Sequence, residues 1–236
     1  NRTNYDLDES VLTQGSVDVD LGEGPQILIV HTHGSESYTP AGDVDVVWSG
    51  DHRTTDSRYN VVAVGDAMAE VFSAAGISVL HDRTLYDYPA YSGAYDRSLA
   101  AIESYLAQYP TIRFILDVHR DAIEDSAGNQ YKVVSDIDGQ TSAQMTLVVG
   151  SDGSGLSHPD WMENLKLAVA LQNQLLQDYP TLMRPILLRN SRYNQHATTG
   201  SLLVEVGAAG NSPEEAHLAG TLLAQGMVEL LEGRSK

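Results

Sequence analysis

Gln26-Ile27-Leu28-Ile29-Val30-His31-Thr32-His33-Gly34-Ser35-Glu36 begins as an apolar run and ends on two histidines, a glycine and a glutamate. A short, continuously apolar, β-branched segment without alternation is the pattern of a strand buried on both faces, as in a parallel sheet covered by helices. The stretch therefore predicts a strand over residues 27–30, emptying into a loop that carries His31, His33 and Glu36. Two other segments have the same form: residues 112–118, which run into His119-Arg120-Asp121, and residues 201–206, which contain Glu205. In open α/β sheets ligands gather beyond the carboxyl ends of the parallel strands, so these residues are expected along one edge.

Working outward, Val61, Val64, Met68, Val71 and Phe72 recur at helical spacing and stop at Gly76, before the strand candidate Ile77-Ser78-Val79-Leu80. Leu99, Ile102 and Leu106 repeat the helical pattern ahead of residues 112–118. Two such strand–helix–strand units imply right-handed crossovers and a parallel core. Beyond a polar stretch at 121–143, residues 145–150 read as a strand. Residues 159–178 read as a helix with Trp161, Leu165, Ala168, Leu171 and Leu175 on one face and Pro159 in its first turn, and 185–189 as a strand. Ser212-Pro213-Glu214-Glu215 announces a last helix, with Ser as cap and Glu three residues on. The expected fold is α/β: an open, mostly parallel central sheet with helices on both faces. Residues 1–24, acidic and glycine-containing, are expected to form a flexible arm, and 25–236 a single catalytic domain.

Composition narrows the function. The 236 residues hold 14 Lys+Arg against 32 Asp+Glu, a formal charge of −18, which disfavours nucleic acid as a partner. With no cysteine there are no disulfides, thiolate metal sites or cysteine nucleophiles. No apolar stretch reaches the roughly 20 residues that span a bilayer, and the sequence opens at Asn1 without a targeting pattern. It is that of a cytosolic protein, or of one whose N-terminal anchor lies outside it.

Two histidines, a close carboxylate and a remote second carboxylate are what a hydrolytic zinc site needs: three ligands, one open position for water, and a base for its proton. His33 and Glu36, three apart in one turn, and His119 form such a His₂Glu set, with Glu205 as the base. His31 competes with His33, since strand alternation sends both to one side, and His33 is favoured by the following Gly34. Asp56 competes with Glu36. Glu205, flanked by Leu203, Val204 and Val206, would otherwise be a buried carboxylate needing a salt bridge to Arg120 or Arg189. His52, His81, His158 and His217 read as hydrogen-bonded or surface histidines. Residues 188–196 are dense in donors, so Arg120, Arg189, Asn194 and His196 are candidate substrate-binding residues. Residues 86–95, with four tyrosines, fit sugar or peptide stacking and ordinary packing equally well.

The fragments His31-Thr32-His33-x-x-Glu36, Arg53-Thr54-Thr55-Asp56, Asn60-Val61-Val62-x-Val64-Gly65, Asp117-x-His119-Arg120-Asp121, His158-Pro159, Met183-Arg184-Pro185-Ile186, Ser191 to His196 and Leu203-x-Glu205-Val206-Gly207 occur in this order over roughly residues 26–232. Together they resemble the stage II sporulation protein P family, a branch of the zinc-dependent N-acetylmuramoyl-L-alanine amidases. The resemblance implies an amidase-like fold, Zn²⁺ as cofactor, His33 and His119 as ligands and Glu205 as the catalytic glutamate. The glutamate ligand of typical amidases would fall near Asp56, so Glu36 rests on local spacing. It further implies peptidoglycan as substrate, with cleavage of peptide cross-links beside the amide, in septal wall thinning and engulfment. An N-terminal membrane anchor, an extracytoplasmic location, and as partners a stage II sporulation protein D-like lytic transglycosylase and membrane proteins follow from the same resemblance. The alternatives are a zinc carboxypeptidase or endopeptidase on the stem peptide, and a non-catalytic peptidoglycan-binding module with a structural metal.

Overall fold

All four residues of β1 (Ile27–Val30) are fully buried, as a strand covered on both sides must be. The computed structural model describes residues 1–12, 22–42 and 44–233. Its order continues with α1 (Val61–Ala74), β2 (Val79–His81), α2 (Ala94–Gln108), β3 (Phe114–Asp121), β4 (Val134–Ile137), β5 (Gln140–Ala143), β6 (Met145–Val149), α3 (Trp161–Asp178), β7 (Leu187–Leu188), β8 (Gly200–Ala208) and α4 (Pro213–Leu231). The central sheet has the order β2-β1-β3-β8-β6-β7. Strands β2, β1, β3 and β8 are parallel, whereas β6 runs antiparallel to β8 and β7 follows β6. The expected mostly parallel sheet is thus present, with two strands reversed at one edge.

The two faces of the sheet are covered unequally. Ile27 and Ile29 of β1, Leu116 and Val118 of β3, and Leu202, Val204 and Val206 of β8 belong to one large core with the apolar sides of α1, α3 and α4. Leu28 and Val30, together with Ile115, join a much smaller core against Ile102 of α2. One helix cannot cover six strands, so part of this second face is left to polar side chains.

Local chemistry explains the element ends. Asn60 caps α1 by accepting from the Val62 amide. Ser212 and Glu215 form the expected capping box on α4, with Pro213 at its start, an arrangement worth about 1 kcal/mol. Pro159 lies just outside α3, whose cap is Asp160, so the expected helix begins two residues late. The stretch at 121–143 is not simply polar loop: β4 and β5 form a hairpin in which Ile137 pairs with Gln140 across Asp138-Gly139, both at positive φ. Asp-Gly between short strands is the signature of that turn, and it was there to be read.

The expected acidic arm packs in part. The Tyr5 ring lies tilted by 36° against Trp161, centroids 4.9 Å apart, Val11 is buried, and the Arg2 amide donates to Leu188 O. Residues 13–21, the middle of that arm, lie outside the described residues. Among the described residues no helix is long and apolar enough to cross a membrane.

Candidate metal centre

After β1 the chain turns through residues 32–35, and this turn separates the two histidines. His31 keeps the facing of Ile27 and Ile29, toward α1. Its Nδ1–H donates to Val118 O at 3.0 Å, and its Nε2 lies 2.8 Å from Nε2 of His81. Burial, and then the neighbouring His81, push its pKa down to about 3, so it is a neutral core histidine. His33, within the turn, lies on the other face of the sheet, with His119. Strand alternation, which would have kept the two together, ends where the strand ends. The turn is pinned by Asp87, which accepts from Ser35 N at 3.0 Å and Ser35 Oγ at 2.6 Å. A Cβ at Gly34 would crowd the following loop, meeting Leu85 Cδ2 at 2.8 Å and the Leu85 Cα and Thr84 O at 3.3 Å.

On β3 the parity is reversed. Leu116 and Val118 point into the large core, so Asp117 and His119 share the face that α2 leaves partly open. There His33, Glu36 and His119 converge, with one donor atom from each lying within 4.8 Å of the others. His33 Nδ1 is 3.4 Å from Glu36 Oε1, and His119 Nδ1 is 3.4 Å from Glu36 Oε2. The two imidazoles stand edge to face, with centroids 5.0 Å apart. On its far side His119 Nε2 lies 2.9 Å from Asp117 Oδ1, off the line of an ideal hydrogen bond. Asp117 also accepts from Thr32 N at 2.8 Å and Thr32 Oγ1 at 2.7 Å, which ties β3 to the His33 turn.

The charges are unbalanced in a telling way. Burial acts to raise the Glu36 pKa, yet its contacts with His119 and His33 hold it well below the usual carboxylate range. Burial acts to lower that of His119, yet Asp117 and Glu36 hold it well above the usual imidazole range. The carboxylates thus call for positive charge between these three residues. A divalent cation held by the neutral imidazoles and Glu36 meets the same demand, and a nitrogen–nitrogen–oxygen donor set suits zinc.

Glu205 lies on the neighbouring strand beside this group. It pairs in register with His119 across β3 and β8, and side chains opposite each other in adjacent strands point the same way. Its Oε2 is sealed from solvent and has no hydrogen-bond partner. Burial raises its pKa to about 8, against the pull of His119 and with the help of the negative Glu36 and Asp121. On its other side Thr146 of β6 is its register partner, also with an unpartnered hydroxyl.

The rival residues lie elsewhere. Asp56 is paired with Arg58 through both carboxylate oxygens and is not among the converging groups. Arg120 is turned inward: Nε donates to Ser37 O at 3.1 Å and Nη2 to His52 O at 2.8 Å, while its amide donates to Glu36 Oε2 at 3.2 Å. Its guanidinium braces the loop that carries Glu36, and no ion pair joins it to Glu205. Asn194 is buried and donates to Tyr95 O and Ser98 Oγ, both at 2.9 Å, so it ties its loop to α2. Arg189 is exposed. His196 faces a cavity away from the centre.

Other residues at the centre include Arg53, to which the sequence assigns no role, and Tyr91 and Tyr95 from the tyrosine-rich stretch that fits stacking or packing. Arg53 pairs with Asp87, approaches Glu36 Oε1 at 3.5 Å and sits 4.8 Å from the ring centre of Tyr91. Tyr91 is exposed and stacks on His33 at 4.6 Å, with Tyr95 edge-on at 5.4 Å. Asp117 was findable, because Asp-x-His on a strand puts both side chains on one face. Arg53 carries no such signal, being brought in by a loop, whereas Tyr91 lies in the tyrosine-rich stretch and only folding places it against His33.

Known proteins share this arrangement of chain. The model of the family Stage II sporulation protein P matches residues 5–228. Stage II sporulation protein P of Bacillus subtilis (strain 168) is 27% identical over 222 residues, which are 89% of this chain and 52% of that protein. The chain therefore spans about half the length of that curated relative. Among solved structures, the CwlD amidase from Clostridioides difficile in complex with the GerS lipoprotein superposes with a TM-score of 0.55 at 15% identity, over 88% of this chain and 99% of that one. The N-acetylmuramyl-L-alanine amidase Ami1 from Mycobacterium smegmatis gives 0.52 at 14% identity, over 91% and 100%. At these identities the likeness is one of fold.

Proposed function

The chain belongs to the stage II sporulation protein P family, and we propose that it is a zinc-dependent peptidoglycan hydrolase that cleaves the amide between N-acetylmuramic acid and L-alanine of the stem peptide. The observation that carries the reading is the unpartnered Glu205 Oε2 beside the converging His33, Glu36 and His119. A buried carboxylate with no partner is costly to keep unless it has a task, and a general base is such a task.

His33, Glu36 and His119 would hold the zinc ion. When bound, zinc supplies a lowered water pKa and polarisation of the scissile carbonyl. Asp117 fixes the ring of His119 from its far side, an arrangement that orients a ligand and raises its basicity. Glu205 takes the proton of the attacking water and passes it to the alanine nitrogen as the carbon–nitrogen bond breaks, leaving a lactoyl carboxylic acid and a free amine. Tyr91, exposed beside His33, offers a face on which the substrate can stack.

The wider setting follows from the family: peptidoglycan as substrate, cross-link cleavage beside the amide, and septal wall remodelling and engulfment during sporulation. A stage II sporulation protein D-like lytic transglycosylase and membrane partners belong to this proposal, as does an extracytoplasmic, anchored full-length protein. The deciding experiment is mass analysis of products from purified sacculi digested with the zinc-loaded protein. Free stem peptides beginning at L-alanine are expected. Shortened stems still attached to glycan, with no free L-alanine terminus, would instead make the protein a peptidase.

A further inference from the structure

Between Ser191 and Gln195 the chain is fixed on both sides of one residue. The Ser191 carbonyl accepts from the Ser151 amide at 3.3 Å, and it lies so close to the end of β6 that a Cβ at Gly150 would collide with it. Asn194 donates to Tyr95 O and Ser98 Oγ, both at 2.9 Å, and Gln195 bridges the Gly150 amide and Val148 O, each at 2.7 Å. Tyr193, between these anchors, is held at φ 53°, in the left-handed region that a bulky side chain rarely adopts. Such a conformation persists only where the surroundings over-determine it, and it gathers at sites where a side chain must be aimed.

The ring of Tyr193 is aimed at the metal centre. It lies 5.9 Å from Tyr95, whose own ring stands edge-on to His33 at 5.4 Å, and it lines a crevice over the α2 side of the sheet with Asp117 and Leu203. Asp117 is two residues from His119, and Leu203 two from Glu205, each pair on one face of its strand. Burial raises the pKa of the Tyr193 phenol, Arg189 opposes this, and Glu205 and His119 act on it with opposite signs. The phenol therefore keeps its hydrogen at neutral pH and stands in the field of both the base and a metal-ligand candidate. Among the described residues nothing accepts from its hydroxyl, yet unlike Glu205 Oε2 that hydroxyl is not sealed from solvent. The other donors nearby are spent: Arg120 on Ser37 O and His52 O, Asn194 on α2, Arg53 on Asp87.

We propose that Tyr193 is a further catalytic residue, whose hydroxyl donates a hydrogen bond to the carbonyl oxygen of the scissile amide. The assignment rests on the hydrolase reading above. As the oxygen of water bonds to the carbonyl carbon, the electron pair of the C=O bond moves onto the carbonyl oxygen, while the proton of the water goes to Glu205. A donor already aimed at that oxygen stabilises the new charge without giving up its own proton. The anchored backbone serves this role, because a donor that had to be reoriented during the reaction would lose much of the gain.

The test is Tyr193→Phe, which removes the hydroxyl and keeps the ring, studied on the zinc-loaded protein in two ways. On a soluble muramyl-L-alanyl peptide, kcat should fall by roughly 10²–10³-fold while KM, zinc content and thermal unfolding stay near those of the parent. The second arm is calorimetric titration with acetohydroxamate, an anion that takes an open zinc position whatever bond the protein cleaves. Its dissociation constant should rise roughly tenfold or more in the variant, the usual effect of losing one hydrogen bond to a charged oxygen. A parent that binds acetohydroxamate but leaves the muramyl-peptide intact would defeat the hydrolase reading, and the titration would then decide alone whether Tyr193 donates at the centre. An unchanged kcat beside an active parent, a loss confined to KM, or acetohydroxamate binding equal to the parent's would each overturn the proposal.

Discussion

His119 Nε2 and Asp117 Oδ1 are 2.9 Å apart, two residues along one strand, while the opposite nitrogen of the same imidazole is 3.4 Å from Glu36. One ring is thus held between a carboxylate that shares its strand face and a carboxylate that shares its candidate metal. Removing the charge of Asp117 while keeping its shape tests this link. Asp117→Asn is expected to weaken zinc affinity by roughly 10–100-fold, the usual effect of losing a ligand's orienting carboxylate. Competition with a chelator of known affinity measures it, and unchanged affinity would reduce Asp117 to a tie for Thr32.

Glu205 should be separable from the metal. Glu205→Gln preserves size and removes the base, so stoichiometric zinc is expected with turnover on peptidoglycan reduced by roughly 10²–10⁴-fold. Metal analysis beside turnover decides the matter, since loss of zinc would make Glu205 a ligand.

Glu36 and Asp56 give opposite expectations. Glu36→Ala should lose the metal, because only it converges with His33 and His119, whereas Asp56→Ala removes a half-exposed pair with Arg58 and should leave zinc content unchanged. Bound zinc per chain, measured after gel filtration, would expose a reversed assignment.

In the metal-free protein Glu205 sets a pH dependence. Its pKa is raised from 4.5 to about 8 by burial, so between these values the folded state holds a proton that the unfolded chain has lost. Its contribution to stability is therefore full below about pH 4.5 and declines as pH rises to 8, by up to ~1.4 kcal/mol per unit. Glu205→Gln lacks this loss. The stability of the variant relative to the parent should grow between pH 5 and 8, read from denaturant midpoints in chelator at each pH, and a constant difference would contradict the raised pKa.

The sequence by itself determined the strands of the central sheet and the residues at their ends, though not the β4–β5 hairpin. A continuous apolar run reads as a buried strand because both its faces are covered, and Ser212-Pro213-x-Glu215 reads as a helix start because its amides need those acceptors. From these, His33, Glu36, His119 and Glu205 could be gathered on one edge, since parallel strands end together. The tertiary structure decided what depends on which face a side chain takes and on which loop crosses it. Alternation holds only while the chain is extended, so the turn after β1 sent His31 into the core against His81 and His33 to the open face. Arg120, Asn194 and His196 looked alike as polar candidates. Their roles separated only when the backbone supplied carbonyls for the guanidinium of Arg120, α2 supplied acceptors for Asn194, and a cavity opened beside His196. A hydrogen-bonding side chain in a sequence has no partner until folding brings one. For that reason the candidate metal set was legible early, while the bracing residues and the cavity beside His196 were not.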